Sequence, residues 1–107
     1  MGSLDGRVAI VTGAAQGIGQ GIAQMLVRHH ARVVIADIDG AAAEEAARDI
    51  VDRGGEAFAV RVDVADGAAV RAMVDACLAR WNTVDILVNN AGTATTQMVE
   101  DMPEADW

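Results

Sequence analysis

The residues best able to do chemistry in this 107-residue chain form a glycine-rich run, Thr12-Gly13-Ala14-Ala15-Gln16-Gly17-Ile18-Gly19. It closes a short β-rich apolar stretch, Val8 to Thr12, and opens a segment where Ile18, Ile22, Met25 and Leu26 recur at helical spacing. A loop so placed offers unpaired main-chain N–H groups at a helix start, where the helix dipole puts about half a positive charge. Such a cradle holds a pyrophosphate with no cationic side chain. The glycines let the backbone turn and approach the ligand closely. The run lacks the Lys-Ser/Thr ending of a triphosphate loop, which argues against kinase or GTPase chemistry. A ligand-free glycine turn is the competing reading.

Asp37 closes the second apolar run, 18 residues beyond Gly19. An acid about 20 residues past a glycine loop can accept hydrogen bonds from an adenosine ribose, and its charge repels a 2′-phosphate. Ile38 and Asp39 follow it, with no Arg, so NAD is favoured over NADP. A capping role for Asp37 is the plainer alternative. Asn89-Asn90-Ala91-Gly92 ends the fourth apolar run, where small residues and an amide would let a nucleotide lie against the backbone. A polar strand end followed by a turn competes with that reading.

These groups must be positioned by alternating strands and helices. Val33 to Ala36, Phe58 to Val62 and Asp85 to Asn89 read as further strands, the first two of these running into Asp37 and Asp63. Between them, Ala43, Ala46, Ala47 and Ile50 form one helical stripe, and Val70, Met73, Val74, Cys77, Leu78 and Trp81 a clearer one. Asp66 is a candidate N-cap, and Gly54-Gly55 a helix stop. The alternation predicts an α/β fold, a parallel sheet with right-handed crossovers; as a Rossmann-like sheet ordered 3-2-1-4, helices on both faces, it would be truncated after the fourth strand. In that order strands one and four straddle the point where the winding reverses, and ligands lie in the crevice there. Thr93 to Gln97 reads as a polar loop, and Pro103 with Glu104 and Asp106 as the first turn of another helix.

Taken together, the glycine run, Asp37, Asp63-Val64 and Asn89-Asn90-Ala91-Gly92, in this order and spacing, resemble the short-chain dehydrogenase/reductase family. The likeness runs from Leu4 to Trp107. It implies that Gly13, Gln16, Ile18 and Gly19 contact the pyrophosphate and ribose of NAD, and that Asp37 selects NAD. It implies that Asp63 and Val64 lie beside the adenine ring, and that Asn90, Ala91 and Gly92 form the wall beside the cofactor. Asn89 resembles an amide that ties the sheet together. The family also uses a catalytic Ser, a Tyr-x-x-x-Lys pair and a further Asn later in the chain, and none has a counterpart here. This chain contains no Tyr and no Lys, and its one Ser is Ser3. No catalytic residue is therefore assigned. His30 and Asn82 stand where the family has glycine after a helix, at positions expected to need a positive φ.

Composition bounds the rest. With 52% hydrophobic and 22% charged residues, the chain reads as one globular domain spanning residues 1–107. A net charge of -8 without a basic face excludes nucleic acid as a partner. No apolar run reaches the ~20 residues a bilayer needs, and no secretory signal is present, so no membrane partner and a cytoplasmic location are expected. Cys77 has no second cysteine to pair with and reads as core, and His29-His30 reads as surface rather than metal site. Three functional readings follow. The chain is the N-terminal cofactor-binding segment of an NAD(H)-dependent oxidoreductase that interconverts an alcohol and a carbonyl, inactive by itself and homo-oligomeric in full. Alternatively it is a non-catalytic dinucleotide-binding module. Or it is an interaction fragment, whose fourth strand leaves an unpaired apolar edge that drives self-association.

Overall fold

The computed structural model describes residues 4–90, and residues 97–100 by their backbone. The elements run β1 (Val8–Thr12), α1 (Gly17–Arg28), β2 (Arg32–Asp37), α2 (Gly40–Asp52), β3 (Ala57–Arg61), α3 (Gly67–Trp81), β4 (Ile86–Asn89) and β5 (Gln97–Glu100). The sheet order is β3-β2-β1-β4-β5. The first four strands are parallel, as the alternating pattern predicts, with Ala9 to Thr12 of β1 paired to Ile86 to Asn89 of β4.

Every residue of β1 is buried, which is why its sequence shows no polar alternation. Successive side chains still point to opposite faces. Ala9, Val11, Val33, Ile35, Ile86 and Val88 pack under α1 and α2. Val8, Ile10, Val34, Ala36 and Leu87 pack under α3, against Met73, Val74 and Cys77. The apolar stripes read for α2 and α3 lie on these inner faces.

Helix α1 departs from expectation. Its buried residues are Gly19, Ala23 and Leu26, while Ile18 is 73% and Met25 44% exposed. The inner face is set by small residues that let the helix approach the glycine loop, which turns Ile18 outward beside that loop. The ends of α1 and α2 are closed alike. His30 has φ 73° and Gly54 has φ 93°. Ala31 N–H donates to Leu26 and His30 N–H to Val27, and Gly55 and Gly54 repeat this with Ile50 and Val51. This is the double bond of a Schellman ending. Asn82 has φ 67° after α3, so both family-derived positive-φ positions are observed.

The unpaired β4 edge is a correction. Strand β5 lies antiparallel along it, Ile86 opposite Glu100 and Asn89 opposite Gln97, so the sheet does not stop at the fourth strand. An exposed row of N–H and C=O groups is costly, and the chain's own next segment satisfies it. The interaction-fragment reading thereby loses the bare edge on which it stood. The helical turn expected near Pro103 lies outside the described residues.

Candidate functional site

The candidate residues converge at the carboxyl ends of β1, β2, β3 and β4. Gly13 leaves β1 with φ 64° and Gly17 opens α1 with φ 65°, a left-handed conformation that L side chains resist. Between them the loop is sewn to the end of β2. Ala14 N–H donates to the Ala36 carbonyl at 3.2 Å, and Ala15 N–H donates to Asp37 Oδ2 at 3.1 Å.

Gly19 explains why the third glycine of the run is needed. A Cβ there would strike the Gly13 carbonyl and come within 2.8 Å of Asn90 Nδ2. Helix α1 therefore rests directly on the loop and on the end of β4. Asn90 adds a further tie, its Nδ2 donating to Gly13 O at 3.5 Å.

The start of α1 differs from those of the other helices. Asp39 Oδ1 accepts from Ala42 N–H at the start of α2, and Asp66 Oδ1 accepts from Ala68 and Ala69 N–H at the start of α3. At α1 the N-cap is Gln16, extended, with no side-chain cap and no acid in the first turn. The helix whose dipole points into the crevice is the one left without its own anionic cap. This is the arrangement a bound diphosphate would complete.

Asp37 does more than sequence reasoning assigned. Its Oδ2 accepts from Ala15 N–H, and its Oδ1 accepts from Asp39 N–H at 3.0 Å. The capping role raised as an alternative is real. It leaves the acid further acceptor capacity, since an ionised carboxylate offers about four lone-pair sites. Asp63 accepts from Ala65 N–H at 3.0 Å in a turn of its own, and Val64 packs against the α3-side core. The Val62 N–H donates to the Asp37 carbonyl, binding the ends of β2 and β3 together.

Thr12 entered the sequence reading only as the first residue of the glycine run, with no role of its own. It is 2% exposed, and its hydroxyl sits where β1 and β4 diverge. Oγ1 donates to Asn89 Oδ1 at 3.1 Å and accepts from Asn90 N–H at 3.0 Å. A single polar residue closing an apolar strand beside a glycine was the available clue. Gln16 and Ile18 are exposed at the loop, while Ala91 and Gly92 lie outside the described residues. A groove of about 330 Å³ between the far ends of α1 and α2, lined by Arg28, His30 and Arg53 among others, holds none of the candidate residues. Among the described residues no three His, Cys, Asp or Glu side chains gather as a metal site, and no helix is long and apolar enough to cross a membrane.

Comparison with known proteins gives a consistent result. The family model described as short chain dehydrogenase matches residues 7–107. The oxidoreductase UcpA of Salmonella typhimurium is 42% identical over 106 residues, covering 99% of this chain and 40% of that protein. The D-threitol dehydrogenase of Mycolicibacterium smegmatis is 41% identical over 104 residues, covering 97% of this chain and 40% of that protein. A solved structure of 7α-hydroxysteroid dehydrogenase, complexed with NADH and 7-oxo glycochenodeoxycholic acid, superposes with a TM-score of 0.81 at 43% identity. That superposition covers 96% of this chain and 40% of that one. The chain thus spans about 40% of the length of these relatives.

Proposed function

The chain belongs to the short-chain dehydrogenase/reductase family, and from that premise we propose that it is the N-terminal cofactor-binding part of an NAD(H)-dependent oxidoreductase interconverting an alcohol and a carbonyl. Residues 1–107 are read as one dinucleotide-binding unit. The observation that carries the reading is the helix start at Gly17, uncapped by any side chain and pressed against Gly13 and Asn90. Of the chain's own groups, Gly13, Gln16, Ile18 and Gly19 hold the diphosphate and adjoining ribose through main-chain N–H groups and close approach. Asp37 accepts from the adenosine ribose hydroxyls and repels a 2′-phosphate. Asp63 and Val64 border the adenine, and Asn90, Ala91 and Gly92 the remainder of the cofactor. NAD, when bound, supplies the hydride acceptor.

The relatives support the alcohol and carbonyl class, since one is a D-threitol dehydrogenase and another is complexed with NADH and 7-oxo glycochenodeoxycholic acid. The residues that would move a proton to or from the substrate oxygen in this family, Tyr and Lys, are absent from these 107 residues. The chain is therefore proposed to bind cofactor without turnover by itself. Calorimetric titration tests the assignment. NADH binding well ahead of NADPH is expected; no affinity for NADH, or a preference for NADPH, would defeat it. Hydride transfer catalysed by this chain alone would defeat the non-catalytic part.

A further inference from the structure

Arg61 ends β3 directly beside Asp37, its Cα partner across the β2–β3 pair. Side-chain alternation puts both on the sheet face covered by α1 and α2. The stem of Arg61 lies over the first residue of α2. A Cβ added at Gly40 would meet Arg61 Cβ at 3.2 Å and its Cγ and Cδ at 3.4 Å, so the missing side chain of Gly40 makes room for that stem. Three carboxylates stand nearby, and each is engaged by main-chain N–H groups. Asp37 accepts from Ala15 and Asp39, Asp39 from Ala42, and Asp63 from Ala65. Among the described residues Arg61 forms no ion pair within 4.0 Å. The sheet edge therefore presents an exposed, uncommitted guanidinium one strand away from the acid assigned to the ribose, at the ~4.8 Å spacing of neighbouring strands.

We propose that Arg61 is a second determinant of cofactor specificity: a cation placed to pair with a phosphate ester on the ribose 2′-oxygen, overridden in this protein by the charge of Asp37. The inference rests on the cofactor reading above. Rejection of the 2′-phosphate then comes from one carboxylate, and no new cation is needed to reverse it. A guanidinium is suited to this, because its planar fork matches phosphate oxygens in a bidentate pair.

The test compares adenosine 2′,5′-bisphosphate with adenosine 5′-monophosphate, two probes that differ only in the 2′-phosphate. Affinities are measured by calorimetry for the unmodified protein, for Asp37→Ser and Asp37→Asn, and for each of these combined with Arg61→Ala. Asp37→Asn keeps an acceptor oxygen for the loop and guards against loss of folding in the Ser variant. Removing the carboxylate charge is expected to shift preference toward the bisphosphate by about tenfold or more, and Arg61→Ala to abolish that gain. The gain should also shrink as salt rises. A gain that survives Arg61→Ala, or no gain in either Asp37 variant, overturns the inference while NADH binding by the unmodified protein leaves the cofactor assignment standing. Failure of the unmodified protein to bind NADH defeats both.

Discussion

At the scale of single residues, the site is held by close approach and by buried polar atoms. Gly19→Ala would push a methyl group into the Gly13 carbonyl, which is backbone and cannot swing aside. The expected cost is about 1–3 kcal/mol of stability, read by denaturant unfolding, together with loss of NADH binding. His30 carries a cost in the opposite sense. It holds φ 73° at the end of α1, where a Cβ is unfavourable by roughly 1–2 kcal/mol. His30→Gly is expected to stabilise the protein by a fraction of that, since glycine loses more entropy on folding. Unchanged or lower stability would show that the His30 side chain makes compensating contacts.

Cys77 gives a pH signature of its own. Burial, and then the negative charge of Asp85, push its thiol up to about 11, and its Sγ donates to the Thr83 carbonyl. A thiol so raised is a poor nucleophile, so alkylating reagents are expected to label it only on unfolding. The unfolded thiol ionises near 9.0, below the folded one, so the unfolded state holds fewer protons as pH passes 9.0. The contribution of Cys77 to stability is therefore constant below that pH and falls as pH rises toward about 11. With no Tyr and no Lys in the chain, little else titrates there. Cys77→Ala should flatten the alkaline limb of stability against pH, and a limb of unchanged slope would refute this origin.

At the scale of elements, helices α1, α2 and α3 divide their labour by how they begin. Helices α2 and α3 carry their own aspartate caps, and α1 does not. Asp66→Ala removes an acceptor shared by two N–H groups and should cost about 1 kcal/mol, detectable as a lowered midpoint in urea. The helical period of α3 was legible because the residues that carry it, Met73, Val74 and Cys77, are the ones buried. The stripe in α1 was misread at Ile18 and Met25 because closeness to the loop, rather than apolar surface, decides which face goes inward. Periodicity counts hydrophobic residues, whereas Gly19 and Ala23 act by being small.

At the scale of the whole molecule, the ends of the sheet are tied where function and folding each need them. At the carboxyl end, Thr12 Oγ1 bridges to Asn89 and Asn90. At the other end, Asp85 Oδ2 accepts from Val8 N–H at 2.9 Å while Asp85 N–H donates to the Val8 carbonyl. Thr12→Val leaves the Asn90 N–H without this acceptor at the switch point. It is expected to cost about 1–3 kcal/mol and to weaken NADH binding through misplacement of Asn90. Intact NADH affinity in a folded Thr12→Val variant would show that Asn90 is held by other means.

The amino-acid sequence by itself determined the alternation of strands and helices and the glycine loop with its acid, because these depend on residue type and local spacing, while the 3-2-1-4 order was expected from the fold that such alternation builds. Left-handed endings at His30 and Asn82 were legible only through the family resemblance, which places glycine there. Tertiary structure alone decided that β5 covers β4, that Ile18 faces outward, that Asp37 clasps the glycine loop, and that Arg61, without an ion pair among the described residues, stands beside it. Each of these depends on which distant backbone groups come within hydrogen-bonding or van der Waals reach, and chain order carries no record of that distance.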